Sequence, residues 1–118
     1  MREKDMSLSL LFDFYADMLT PVQQNIFDLS YNEDLSLSEI AEQTGITRQG
    51  VRDALKRAED LLIRYEEKLG LSARFSAIRA EVDEAAKKIE TLLPHTDAEG
   101  QMIARSVLET LRGIEHLS

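Results

Sequence analysis

An all-α fold is what this sequence of 118 residues predicts. It reads as a wing-free helix-turn-helix core followed by a C-terminal helical extension. Three observations carry the prediction. Apolar residues recur at helical spacing along nearly the whole chain, and no stretch alternates as a half-buried strand does. Only two prolines and five glycines occur, and most of them fall between the helical patterns. Capping residues stand where helices should begin.

The first helix is expected over Met6–Met18, with Leu8, Leu11, Phe12, Tyr15, Met18 and Leu19 on its apolar side. Thr20 caps a second helix and Pro21 occupies its first position, where a missing N–H costs nothing. That helix carries Val22, Ile26, Phe27 and Leu29 and ends near Tyr31. Asn32-Glu33-Asp34 is a polar connection. Ser36-Leu37-Ser38-Glu39 fits a capping box, in which the serine caps and the glutamate reaches back. A short third helix, 37–44, buries Leu37, Ile40 and Ala41, and Gly45 ends it in the left-handed position. Thr47 caps a fourth helix running to Leu69, with Gly70 as its stop. Its inner face is Val51, Ala54, Leu55, Ala58, Leu61, Leu62, Tyr65 and Leu69. A fifth helix starts at Ser72 and spans 73–93, with Phe75, Ile78, Val82, Ala85, Ile89 and Leu92 on one face. Pro94 ends it. Asp97 caps a sixth helix, 98–117, with Ile103, Val107, Leu111, Ile114 and Leu117 on one stripe. Residues 1–70 form the expected helix-turn-helix domain and 71–118 the extension, a packing or dimerisation element.

Composition narrows the function. Absence of cysteine excludes disulfides, thiol nucleophiles and Cys-type zinc sites. No apolar run approaches the ~18 residues of a membrane helix, and no cleavage site follows the apolar start, so a cytoplasmic protein without membrane insertion is expected. The net charge of −8 disfavours indiscriminate coating of nucleic acid. The charge is unevenly spread. Residues 1–45 hold two basic and nine acidic side chains, whereas 46–57 hold Arg48, Arg52, Lys56 and Arg57 against Asp53 alone.

That basic stretch opens the second helix of a helix-turn-helix pattern, SLSEIAEQTGITRQGVRDALKRA. Ala41 is small where the helices approach, Gly45 permits the tight turn, Ile46 plugs it, and Val51 and Leu55 anchor the second helix. Arg48, Gln49, Arg52 and Lys56 then fall on the outer face. Such proteins place this part of the helix in the major groove. Arg suits guanine and Gln suits adenine, each in bidentate geometry. Thr47, the helix N-terminus and Arg57 suit phosphates. Asp53 opposes phosphate approach, and Gly50 weakens the helix while leaving room for DNA or for the preceding helix. The same pattern also fits any tight helical corner with a solvated basic face.

The segment LTPVQQNIFDLSYNEDLSLSEIAEQTGITRQGVRDALKRAEDLL resembles region 4 of bacterial sigma factors. The shared order is a T-x-x-Q-x-x-x-F helix, an acidic connector, an L-S-x-x-E-I-A helix and G-x-T-R opening the recognition helix. Gln49, Gly50 and Asp53 depart from the sigma pattern. The whole chain is similar to the YlxM family of small bacterial proteins, closely over 1–93 and loosely over the last helix. The resemblance implies a region 4-like fold and binding of double-stranded DNA. Genes of that family tend to lie beside those of the signal recognition particle, which implies a regulatory part in that pathway.

Nothing points to an enzyme or to a cofactor. His95 and His116 are isolated, no nucleophile–base spacing occurs, and no Gly-rich phosphate loop is present. One helix-turn-helix reads few base pairs, so a homodimer is expected; the last two helices either pack back on the fourth helix as a bundle or pair with a second copy. The rival reading is an interaction module for protein or RNA, with signal recognition particle components as its partners.

Overall fold

The computed structural model describes residues 6–115, and all regular structure in them is helical. The helices are α1 (Ser7–Tyr15), α2 (Pro21–Tyr31), α3 (Leu37–Thr44), α4 (Arg48–Leu69), α5 (Leu71–Leu92) and α6 (Ala98–Glu115). Single 3-10 turns follow α1 at Ala16–Met18 and α5 at Leu93–His95. His116 and Leu117 lie outside the described residues. The chain divides into two compact units, Met1–Ser72 and Ala73–Ser118.

The helix starts follow from their caps. Thr20 accepts from the Gln23 amide at 3.2 Å, and the Gln23 side chain accepts from the Thr20 amide at 3.0 Å. Ser36 and Glu39 form the same reciprocal pair at 3.1 and 2.9 Å. Thr47 accepts from the Gly50 amide at 3.0 Å, and Asp97 from the Gly100 amide at 2.8 Å. Each bond satisfies an amide that the helix itself leaves without a partner. Gly45 and Gly70 close α3 and α4 at φ 76° and 61°, where a Cβ would be strained.

In the N-terminal unit, α1, α2 and α3 all pack on α4. Tyr15, Ile26, Phe27, Ile40, Val51, Leu55 and Leu62 are fully buried. Phe27 lies stacked between Phe12 at 4.6 Å and Tyr31 at 4.1 Å. Polar ties finish this core. Tyr31 donates to Glu59 at 2.5 Å. Tyr15 donates to Glu66 at 2.6 Å while its oxygen accepts the Leu71 amide at 3.0 Å, and Glu66 also accepts the Ser72 amide at 3.1 Å. Burial first, and then the bond to the Glu66 carboxylate, push the Tyr15 hydroxyl pKa up.

The C-terminal unit holds α6 and nearly all of α5. The two helices run antiparallel: the Gln101 side chain donates to the Leu93 carbonyl at 2.9 Å, and Arg112 reaches Asp83 at 3.1 Å and Glu90 at 2.7 Å. Among the described residues its buried hydrophobic side chains are Ala86 and Ala104.

Several expectations change. The first α-helix ends at Tyr15, and the Leu19 amide bonds the Ala16 carbonyl instead. The fifth helix starts at Leu71, directly after Gly70. Met18, Val22 and Leu69 are exposed rather than packed. On α6 the covered line runs through Gln101, Ala104, Leu108 and Leu111, while Ile103 and Val107 face solvent. Apolar residues occupy more than one face of α6, so periodicity alone selects no unique packing face.

Candidate nucleic-acid interface

The turn between α3 and α4 is built from the core outward. Ile40 is fully buried and Ile46 packs against the core cluster. Thr44 donates to the Ile40 carbonyl at 2.7 Å and accepts from the Ile46 amide at 3.3 Å, which holds the turn closed. Val51, Leu55 and Ala58 then fix the inner face of α4. A Cβ on Gly50 would lie 2.8 Å from Ile46 Cγ2 and 3.1 Å from Thr47 Oγ1. The room glycine leaves is thus filled by the turn's own plug.

With that face fixed, Thr47, Arg48, Gln49, Arg52, Lys56 and Arg57 are all exposed on α4 or at its N-terminus. They are not equally available. Among the described residues, Arg48, Arg52 and Arg57 have no ion pair. Gln49 donates to Asp53 at 3.0 Å, and Lys56 pairs with Asp60 at 3.4 Å. Thr47 Oγ1 accepts the Gly50 amide, which leaves its O–H to donate. Gln49 must therefore release Asp53 before it can read a base. The Lys56 pair is solvated and weakly held, so it yields readily.

Two grooves flank this ridge and differ in charge. One, of about 710 Å³, is lined by Arg48, Arg52, Lys56 and Glu59 on α4 and by Asp34 and Glu39 opposite. Glu39 is held below the ordinary carboxylate range by the Ser36 amide and then by its hydroxyl, so its charge persists at neutral pH. This groove is balanced in charge and repels phosphate from the α3 side. The second, about 640 Å³, runs along Arg52, Lys56, Arg57 and Arg64 against Asp53 and Asp60. It carries net positive charge. Arg64 is the residue that reading the sequence missed, although it stands seven positions beyond Arg57 and so on the same helical face.

His95 is exposed in the turn after α5, and no group of three or more His, Asp or Glu among the described residues is placed to hold a metal. No helix of the described residues is long and apolar enough to cross a membrane.

The short α3, the glycine turn and the exposed N-terminal face of α4 define a helix-turn-helix protein. Residues 2–104 match the family model UPF0122, described as "Putative helix-turn-helix protein, YlxM / p13 like". The chain belongs to this family. A UPF0122 protein of Thermoanaerobacter sp. (strain X514) is 44% identical over 112 residues, covering 94% of this chain and 93% of the relative. Another, from Geobacillus kaustophilus, is 41% identical over 109 residues, covering 92% and 98%. A third, from Desulforamulus reducens, is 59% identical over 69 residues, covering 58% of this chain and 59% of the relative.

Proposed function

We propose that this protein is a cytoplasmic DNA-binding regulator that reads duplex DNA with the N-terminal half of α4, as a homodimer. The observation that carries the reading is the exposed basic ridge of α4, in which Arg48 and Arg52 stand one turn apart without ion pairs among the described residues. Guanidinium groups so placed are ready to bond guanine edges, and charge pairs need not be broken first. Lys56, Arg57 and Arg64 extend the positive tract for phosphate contact. Thr47 caps the helix N-terminus through its hydroxyl oxygen and keeps its O–H to donate to a phosphate. The acidic wall at Asp34 and Glu39 restricts approach to one side.

The test is fluorescence anisotropy of labelled duplex DNA with wild type and an Arg48/Arg52/Lys56 triple alanine variant at two salt concentrations. Wild-type binding that falls with salt and disappears in the variant supports the reading. Absence of binding by folded wild type overturns it.

A second reading draws on α1. Met6, Leu10, Phe14 and Met18 stand four apart and exposed, with Asp13 and Asp17 on the same helix or the turn that follows. Such a surface fits a basic amphipathic partner, and a signal recognition particle component is the partner that the family resemblance suggests. Capture of such a component by a protein that ignores duplex DNA would favour this reading.

A further inference from the structure

The α5–α6 pair has one closed face and one open face. From Phe75 to Leu92, α5 repeats apolar residues at alternating steps of four and three: Phe75, Ile78, Val82, Ala85, Ile89, Leu92. This strict seven-residue repeat is the pattern of a helix with partners along its length. It splits into two rows. Phe75, Val82 and Ile89 are half-buried, whereas Ile78, Ala85 and Leu92 are exposed, Ile78 by 52% and Leu92 by 47%. On α6, Ile103 is 62% exposed and Val107 39%.

These exposed rows share a face. At about 100° per residue, Ile78, Ala85 and Leu92 lie roughly 80–120° to one side of buried Ala86, while Asp83 and Glu90 lie roughly 40–60° to the other. On α6, Ile103 and Val107 lie to the same side of buried Ala104, and Arg112 to the opposite side. The helices are antiparallel, so equal rotations lead to the same side of the pair. The Arg112 bridges to Asp83 and Glu90 therefore close one face, and the apolar rows are left on the other.

We propose that a second copy of this chain covers that open face, with the two α5 helices crossing antiparallel about a twofold axis at Ala85. This deepens the homodimer named above. Ile78 then meets the partner's Leu92, and the small Ala85 side chains allow close approach at the axis. Charge selects this direction. Exposed Arg74, Glu81 and Lys88 flank the open row. Antiparallel pairing sets Glu81 beside the partner's Lys88 and Lys88 beside the partner's Glu81. Parallel pairing sets Arg74 toward the partner's Arg79, a like-charge contact. The bond between Lys88 and Glu84 on its own helix is 3.4 Å and largely solvated, so it does not hold Lys88 back. The α1 row suits self-pairing less, because the neighbouring Asp13 and Asp17 would face a copy of the same charge.

The chain has no cysteine, so a single introduced thiol reports its own neighbour. Sedimentation equilibrium without DNA should give twice the 13.4 kDa chain mass. Ala85→Cys should cross-link to a disulfide dimer on mild oxidation, since a residue at the axis brings its two Cβ atoms together. Thr91→Cys, on the far side of α5, should stay reduced. Ile78→Lys should raise the dimer dissociation constant about tenfold or more with helical content unchanged by circular dichroism. Glu81→Lys and Lys88→Glu should each weaken the dimer by about two- to tenfold, and the swapped double variant should restore it. A wild-type monomer overturns the proposal, and so does a dimer in which Ala85→Cys stays reduced or the charge swap fails to restore pairing. Because no DNA is present, these results are independent of the anisotropy result for the recognition helix.

Discussion

Each of the two units has its own means of internal cohesion. In the N-terminal unit Tyr15, Ile26, Phe27, Ile40 and Leu62 are wholly removed from solvent, and two aromatic stacks fill the space between helices. In the C-terminal unit the buried hydrophobic residues among those described are alanines, and Arg112 cross-links to Asp83 and Glu90. Burial of apolar area is the larger source of stability, at roughly 25 cal/mol per Å². Half-exposed ion pairs contribute roughly 0–1 kcal/mol each. Helical length thus says little about self-sufficiency: α5 and α4 are both 22 residues long, yet only α4 is the spine of a filled core.

The sharpest way to break this contrast is a matched pair of isoleucine truncations, read by urea unfolding. Ile40→Ala should cost about 2–5 kcal/mol, through lost burial and a residual cavity. Ile103→Ala, in dilute protein, should change stability by less than about 0.5 kcal/mol, as exposed positions do. Equal losses would show that α6 has a core of its own. Tyr15→Phe comes next. It strips a part-buried bond from Glu66 and the acceptor from the Leu71 amide, so a loss of about 1–3 kcal/mol is expected by the same assay.

Two glycines sharpen the comparison at a smaller scale. Gly50→Ala should destabilise by about 1 kcal/mol, because the clash with Ile46 outweighs the gain in helix propensity. Gly113→Ala, with nothing within 4 Å of the new carbon, should raise thermal stability by up to about 1 kcal/mol. The smallest effect is in acid. Bonds from Lys87 first and Arg112 second hold the Asp83 carboxyl below its ordinary pKa. A depressed pKa stabilises the fold at higher pH, and that contribution disappears as pH falls through the folded-state value. Asp83→Asn should therefore flatten the acid limb of helicity measured by circular dichroism.

Much of the fold was legible because its punctuation is local chemistry. Thr20, Ser36, Thr47 and Asp97 cap where their side chains can reach an amide three residues on, and Gly45 and Gly70 stand where φ turns positive. Packing faces were less legible. Val22 and Leu69 fit helical periodicity yet remain exposed, because periodicity says which residues share a side and not how wide the neighbour is. At the candidate interface, the outward placement of Arg48, Arg52 and Lys56 followed from four-residue spacing. The engagement of Gln49 by Asp53 and Lys56 by Asp60 was written in the same spacing but not read. The acidic wall of Asp34 and Glu39 was not readable, because tertiary packing brings it to α4 from outside that helix.

The Tyr15 hydroxyl also bears on the order in which this chain can fold during synthesis. Its partners are Glu66 and the Leu71 amide, 51 and 56 positions downstream, and Tyr65 reaches back to the Met18 carbonyl at 3.3 Å. Within the N-terminal unit, α1 thus precedes the other helices and has its Tyr15 bonds completed last. Until Leu71 has emerged the Tyr15 hydroxyl lacks one of its two partners, and contacts so distant in sequence slow closure. The N-terminal unit is closed by its last residues.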